Sequence, residues 1–593
     1  MRNKMRLIVF ILVGLISIFL GFFCFDKVKM IEYYQNYVYY IIAINVLLWI
    51  VLVVRTFVYS ESDSDINNSI LRLKSFFNKH GAALIISFVL MVLGYTACSP
   101  DYRILGDEPI LLGTSQSLYE TKKCFLSVSS LENYGGMKTV LVSVLDKRPV
   151  LFPFMVSIVH SLFGYRPENI FFFNFVVGFL SLFLIYYIIQ AMCGRFWGIN
   201  GLICLASYPL FIVYTNSAGF DVFNMLCSLI FFVCLYKFIK FPDAARAEVL
   251  FIWVPLLSQS RYESILSLVL ALPVILYYLP KKEYSNLGFS FMFSPLFFIA
   301  PAWLRVLTSK SSDWQVSSGE AVFSWEWFCE NIKKAVEFFC VGEKAYGVIP
   351  LISIFALIGL ILFILDVFFK KNSEFIQKSG YLHAGEFRFF WGSVILFYVL
   401  HAVVKFSYKL SDLTDVLATR HAIVFLPLFV IMAVFFLWQC SYKLSIKRYC
   451  YAIFFVLLLL VYWPEASTAS CGTSDNHISL EFREGRKYIE THFPNKDEYI
   501  IISDSPNFFV PFGYSSVGYN AYRKAFKNVV IDSIQKKYTS YLLVIQLLNA
   551  DMTPFKGQEM LEEFEVKSVW ERCLVKGYYY RISKCILKNV EKM

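Results

Sequence analysis

Runs of about twenty apolar residues recur along this chain of 593 residues. An α-helix rises about 1.5 Å per residue, so each run matches the roughly 30 Å hydrocarbon core of a bilayer. Lipid offers no water to backbone amides, so such a run must bond them internally as a helix. With 58% hydrophobic and 17% charged residues, the chain reads as a polytopic membrane protein.

The apolar runs fall at 7–25, 37–58, 82–98, 169–192, 197–215, 219–239, 287–306, 346–369, 387–404, 421–440 and 449–463, with two short or tilted helices within 249–279. They predict about thirteen helices. The stretch 150–163, interrupted by Pro153 and His160, is too short to span and suits an interfacial or re-entrant helix. Basic residues fix the orientation. Arg55 at the end of the second run and Arg72, Lys74 and Lys79 before the third mark one side; Arg195, Lys237, Lys240, Arg246, Lys281, Lys282, Lys370, Lys371, Lys378, Arg388, Lys443, Lys447 and Arg448 fall at later run ends or loops of the same side. That side is cytoplasmic, as is the N-terminus, and 99–149 faces outward. The net charge of +11 thus serves topology, and nucleic acid is not a partner. No small-residue cleavage site follows the first run, which reads as a retained helix. The fourteen cysteines show no CxxC pair and no zinc spacing; they read as core residues, with Cys573 and Cys585 the one candidate external pair.

Two external loops stand out, 99–168 and 307–345. The second holds Trp314, Trp325 and Trp327 and an amphipathic helix over 326–341 suited to a membrane interface. After Trp463 the composition becomes that of a soluble domain. Helices at 484–493 and 529–537, strands at 499–503 and 541–546, and a hairpin over 566–586 around Lys576-Gly577 predict a small α/β layer. The expected fold is therefore mostly α: a transmembrane bundle over 1–463, followed by an extracytoplasmic α/β domain over 464–593.

Four polar features converge on the outer face. Gly106-Asp107-Glu108-Pro109 reads structurally as a helix start, with Asp107 as N-cap and a helix running to about Tyr119. Asp146-Lys147-Arg148-Pro149 sets two cations before the short helix, where they could anchor to lipid headgroups. Asp221 opens a transmembrane helix and could cap it. Ser258-Gln259-Ser260-Arg261-Tyr262-Glu263 is a polar knot in which Arg261 and Glu263 could pair with each other, and Arg420-His421 opens the run containing Pro427. Carboxylates beside several cations on one membrane face suit an anionic, lipid-linked substrate. No Walker A loop, GxGxxG, HExxH or GxSxG elbow offers a competing chemistry.

The runs Leu105-Gly106-Asp107-Glu108-Pro109, Lys147-Arg148-Pro149-Val150-Leu151-Phe152-Pro153, Ala218-Gly219-Phe220-Asp221 and Arg420-His421 with Pro427 resemble, in order and spacing, the C-type glycosyltransferase fold. The similarity points to the bacterial aminoarabinose transferases of lipid A and the protein O-mannosyltransferases, and is clearest over 99–282. The resemblance implies a polyprenyl-phosphate sugar donor, an extracytoplasmic lipid, glycan or protein acceptor, and a bacterial inner-membrane location. It implies Asp107 as general base, Glu108 as its support and Asp221 as a second acidic residue. Lys147, Arg148, Arg261 and Arg420 would bind the donor phosphate, and Tyr262, Glu263 and His421 would contact substrate. No cofactor is expected, and the carboxylates are too few to support a divalent metal. Two alternatives stay open: a glycan ligase or polymerase using a diphosphate-linked donor, and a lipid or solute transporter, which would carry inverted repeats and a midplane site.

Overall fold

The computed structural model describes residues 2–59, 66–103, 106–308, 321–342, 347–369, 384–409, 412–413, 416–444, 447–472, 477–575 and 578–588. Leu105, Trp314, Lys370, Lys371, Lys378 and the turn Lys576-Gly577 lie outside the described residues, as does the side chain of Arg72. The chain divides into two compact units. One comprises Met1–Asp101, Lys147–Phe152 and Phe171–Ser470; the other comprises Tyr102–Asp146, Pro153–Ile170 and Cys471–Met593.

In the first unit, nine helices among the described residues are long and apolar enough to cross a membrane: Met5–Phe22, Lys27–Thr56, Lys74–Ala97, Asn169–Cys193, Asp221–Lys240, Phe289–Thr308, Pro350–Phe369, Ala384–Phe406 and Arg420–Lys443. The remaining predicted runs are helical too, but broken or short. Arg195–Ser207 and Pro209–Thr215 meet at a 72° bend, where Tyr208 is extended (φ −70°, ψ 117°) ahead of a proline that cannot continue the amide ladder. Ala244–Ser258 and Tyr262–Tyr278 are shorter than the about twenty residues of a typical span, as is Arg448–Pro464, the apolar part of the helix Arg448–Gly472. Asp221–Lys240 is 72% buried, whereas Met5–Phe22 is 17% buried and turns Ile8, Leu12 and Leu15 outward. The former is therefore a central helix and the latter a lipid-facing one. Pro350–Ile364 and Leu426–Leu444 approach so closely that a Cβ on Gly359 would lie 2.1 Å from the Met432 carbonyl oxygen, a packing that only a small residue permits.

The expected amphipathic helix is present as Trp325–Cys340, capped by Ser324, whose Oγ accepts from the Trp327 amide at 3.1 Å. It buries Asn331, Ala335, Phe338 and Phe339 and leaves Trp325, Ile332 and Val336 exposed. Asn331 Nδ2 donates to the Phe406 and Tyr408 carbonyls, each at 2.9 Å. The helix is thereby tied to the carbonyl end of Ala384–Phe406, where backbone acceptors lack helical partners.

The second unit is built on a seven-stranded sheet in the order β2-β1-β4-β3-β5-β7-β6. The strands are β1 (Leu126–Tyr134), β2 (Met137–Val144), β3 (Tyr499–Ser503), β4 (Ser516–Gly518), β5 (Tyr541–Leu548), β6 (Phe564–Val575) and β7 (Tyr578–Leu587). Parallel pairing of β3 with β4 and β5 explains why Tyr499–Ser503 is a continuous apolar run: a central parallel strand is covered on both faces. Ile500, Ile502, Val517, Leu542 and Val544 form its core with Val530 and Leu131.

Leu131 comes from the first external loop. The hairpin β1–β2 turns through Gly135 and Gly136, both at positive φ (65° and 85°), as a two-residue hairpin loop requires. It joins the sheet through Ser130 opposite Ser516. This corrects the expected boundary at 464, because 102–146 and 153–170 pack with the C-terminal segment. The expected external cysteine pair is corrected as well. Cys573 stands opposite Tyr579 and Cys585 opposite Val566, on distant rungs of one hairpin, and both thiols are free.

Candidate active site

In the first unit the site begins with the loop before Asp221. Asn174 Nδ2 clamps it, donating to the carbonyls of Ser217 at 2.7 Å and Gly219 at 2.8 Å. The Asp101 amide donates to the Asn216 carbonyl at 3.1 Å. The helix N-cap is Phe220, so Asp221 is the first helical residue and does not cap it. A carboxylate in the first turn is favoured by the positive end of the helix dipole.

One turn along, Asn224 Oδ1 accepts from Ser260 Oγ at 2.8 Å and from Ser264 Oγ at 2.9 Å. These two bonds fasten the polar knot to the Asp221 helix. Arg261 is extended (φ −155°, ψ 150°) ahead of the 3₁₀ turn Tyr262–Leu266. Its guanidinium pairs with Asp221 and, through Nε at 2.9 Å, with Glu263 Oε1, and it stacks over the Phe220 ring at 5.1 Å. Glu263 Oε1 also lies 2.7 Å from Lys405 Nζ. The side chains of Asp221 and Lys405 are 2% and 5% exposed. At such burial the four charges must compensate one another, because a single one left alone would be strongly destabilising.

Arg420 and His421 open the 3₁₀ turn Arg420–Phe425. His421 lies in the field of Arg261, Lys405, Arg420 and Glu263. Lys147 and Arg148 precede the helix Leu151–Phe163, whose first amide, Leu151 N–H, donates to the Gln259 carbonyl at 3.1 Å. Of the expected site residues, the structure thus joins Asp221, Arg261 and Glu263 directly, sets His421 in their field, and anchors the segment after Lys147 and Arg148 on the polar knot. It adds Lys405, whose only sequence signal is a lone basic residue near the end of an apolar run.

Asp107 and Glu108 belong to the second unit. Asp107 stands at the N-cap position of Glu108–Thr121, with Pro109 in the first turn, but its carboxylate makes no capping bond. Glu108 is fully buried and turns back to accept from the Arg103 amide at 2.7 Å. Beneath them, Thr114 Oγ1 donates to Asp146 Oδ2 at 3.3 Å. Ser115 Oγ lies 3.2 Å from His160 Nε2, and Asn169 Nδ2 reaches His160 Nδ1 at 3.0 Å. Because the Ser115 hydroxyl donates to the Leu112 carbonyl, it accepts from Nε2–H, and His160 is neutral. Burial pushes its pKa down to about 4. His160 sits on a helix of thirteen residues, about 20 Å long and too short to span. Among the described residues no three His, Cys, Asp or Glu side chains gather as a metal would require.

A family model described as dolichyl-phosphate-mannose-protein mannosyltransferase matches residues 147–303. No curated protein matches the chain. Two solved structures are similar: the archaeal oligosaccharyltransferase AglB from Archaeoglobus fulgidus, with an inhibitory peptide and a dolichol-phosphate, and ArnT from Cupriavidus metallidurans in the apo state. The first is 12% identical with a TM-score of 0.41, covering 80% of this chain and 69% of that one. The second is 10% identical with a TM-score of 0.45, covering 85% and 98%. Both are similarities from which no residue role is taken. The matched segment 147–303 is the one that holds Lys147, Arg148, Asp221, Arg261 and Glu263, and it lies within an integral-membrane chain whose described residues form nine helices long and apolar enough to span a bilayer.

Proposed function

We propose that the chain moves a sugar from a polyprenyl-phosphate donor to a hydroxyl of an extracytoplasmic lipid, glycan or protein, with inversion at the anomeric carbon. The observation that carries this reading is the buried group of Asp221, Arg261, Glu263 and Lys405, with Arg420 in the same field. The Arg261 guanidinium and the Lys405 ammonium are held in place by these carboxylates before any ligand arrives. Such preorganisation suits an arriving phosphate. The description of the matched family names the same donor chemistry.

In the proposed reaction the Asp107 carboxylate takes the proton of the acceptor hydroxyl. The oxygen attacks the anomeric carbon, the carbon–oxygen bond to phosphate breaks, and its electron pair leaves on the polyprenyl phosphate. Arg261 and Arg420, with Lys147 or Arg148, stabilise that leaving group, so no general acid is needed. Asp221 and Glu263 hold Arg261 in register, Glu108 supports the turn that carries Asp107, and Tyr262 and His421 contact substrate. The topology that goes with this reading is a bacterial inner-membrane protein with its N-terminus inside and its chemistry outside.

The test is turnover by the full chain in lipid vesicles. The reading expects release of polyprenyl monophosphate from a monophosphate-linked sugar and a product of inverted configuration. Turnover only of diphosphate-linked donors would instead indicate a ligase or polymerase.

A further inference from the structure

Gln259 closes the helix Ala244–Ser258 as its C-cap and is 3% exposed. Its main chain is fully used: the amide bonds the Pro255 and Leu256 carbonyls, and its carbonyl receives Leu151 N–H. Its side chain is not. Among the described residues neither Nε2 nor Oε1 has a hydrogen-bond partner. A buried polar group left without a partner costs about 1–3 kcal/mol, and native proteins retain few of them without a reason. An apolar side chain of similar size would avoid that cost.

The setting supplies the reason. Ser260, the next residue, is bonded to Asn224, and Arg261 after it is paired with Asp221. Asp221 Oδ2 and His421 Nδ1 are likewise buried without a partner among the described residues. Gln259 adjoins Ser260 and Arg261 in the chain, Asp221 is the partner of Arg261, and His421 lies in the field of Arg261, Lys405 and Glu263. These unmet atoms therefore belong to residues in or next to the ion-paired group, as expected of a site built to receive a polar ligand. The amide also specifies which part of the ligand. It offers one acceptor and two donor hydrogens side by side. A phosphate at neutral pH only accepts, so it would leave Oε1 unmet, whereas a sugar ring carries hydroxyls that both donate and accept.

We propose that Gln259 is the sugar-reading residue of the site, its Oε1 accepting from one ring hydroxyl of the donor and its Nε2 donating to another. This rests on the polyprenyl-phosphate-sugar reading above. It makes Gln259 a determinant of donor specificity, separate from the cations that hold the phosphate.

The experiment uses the full chain in lipid vesicles, with Gln259→Leu and Gln259→Ala beside the wild type. The probes are bare polyprenyl phosphate, the polyprenyl-phosphate hexose turned over best, and its analogues lacking one hydroxyl each. Three results are expected for Gln259→Leu. The substrate-free protein unfolds at an unchanged or higher temperature, bare polyprenyl phosphate binds as before, and kcat/KM for the hexose falls at least about tenfold, one good hydrogen bond's worth. The wild type discriminates against one deoxy donor, and the variant does not. If Gln259→Leu keeps that discrimination, or if both variants unfold earlier with donor preference intact, the inference is overturned while the donor reading stands. If the wild type turns over no phosphate-linked sugar, both fall together.

Discussion

Lys405 Nζ lies 2.7 Å from Glu263 Oε1, joining the end of the helix Ala384–Phe406 to the polar knot that also holds Arg261. Both side chains are largely buried, so removing one strands the other. Lys405→Met and Glu263→Gln should each destabilise the protein by about 3–5 kcal/mol. Their combination should cost clearly less than the two losses added, because it leaves the Arg261–Asp221 pair whole. A double-mutant cycle on unfolding in detergent measures this. Strictly additive losses would refute the coupling.

Arg261 serves two carboxylates at once, Asp221 and Glu263. Lysine keeps the charge but cannot reproduce the fork. Arg261→Lys should therefore lower kcat by about a hundredfold, the usual effect of removing one preorganised donor at a developing charge. Steady-state transfer rates give the answer, and an unchanged kcat would remove Arg261 from the leaving-group role.

Gly359 faces the Met432 carbonyl oxygen at a distance no Cβ tolerates. Gly359→Ala should force the helices Pro350–Ile364 and Leu426–Leu444 apart and destabilise the bundle by about 1–3 kcal/mol or more. Thermal unfolding of the purified variant reads this. A wild-type unfolding temperature would show that the contact relaxes without loss.

His160 gives a pH dependence whose sign follows from its neutral, hydrogen-bonded ring. Its folded pKa of about 4 lies below the roughly 6.5 of an unfolded histidine. Above both values it contributes no pH dependence. As pH falls from about 6.5 toward 4, only the unfolded state gains the proton, and stability drops by up to about 1.4 kcal/mol per unit. His160→Gln should remove that part of the acid slope while lowering stability at pH 7 through its lost bonds. Identical slopes in the two proteins would contradict the assignment.

The membrane bundle was legible because a bilayer demands about twenty apolar residues per span, and each such run is helical here. The polar knot was legible for a related reason: Arg261 and Glu263 interrupt apolar sequence where a charge is costly. Lys405 escaped because its partner lies 142 positions earlier in the chain, and local pattern carries no information about such a pairing. The β1–β2 hairpin escaped for a different reason. Its Gly135-Gly136 signal was present, but β1 is rich in serine and finds its place only by pairing with β4 from the far end of the chain. The same long-range pairing moved the domain boundary.

The central claim is sugar transfer from a polyprenyl-phosphate donor with Asp107 as the base, and the most direct test is transfer by Asp107→Asn in lipid vesicles beside the wild type. The account predicts that the wild type releases polyprenyl phosphate from at least one monophosphate-linked sugar, and that the variant, folded and still able to bind polyprenyl phosphate, is slower by about a hundredfold or more. Full activity in the folded variant would contradict it.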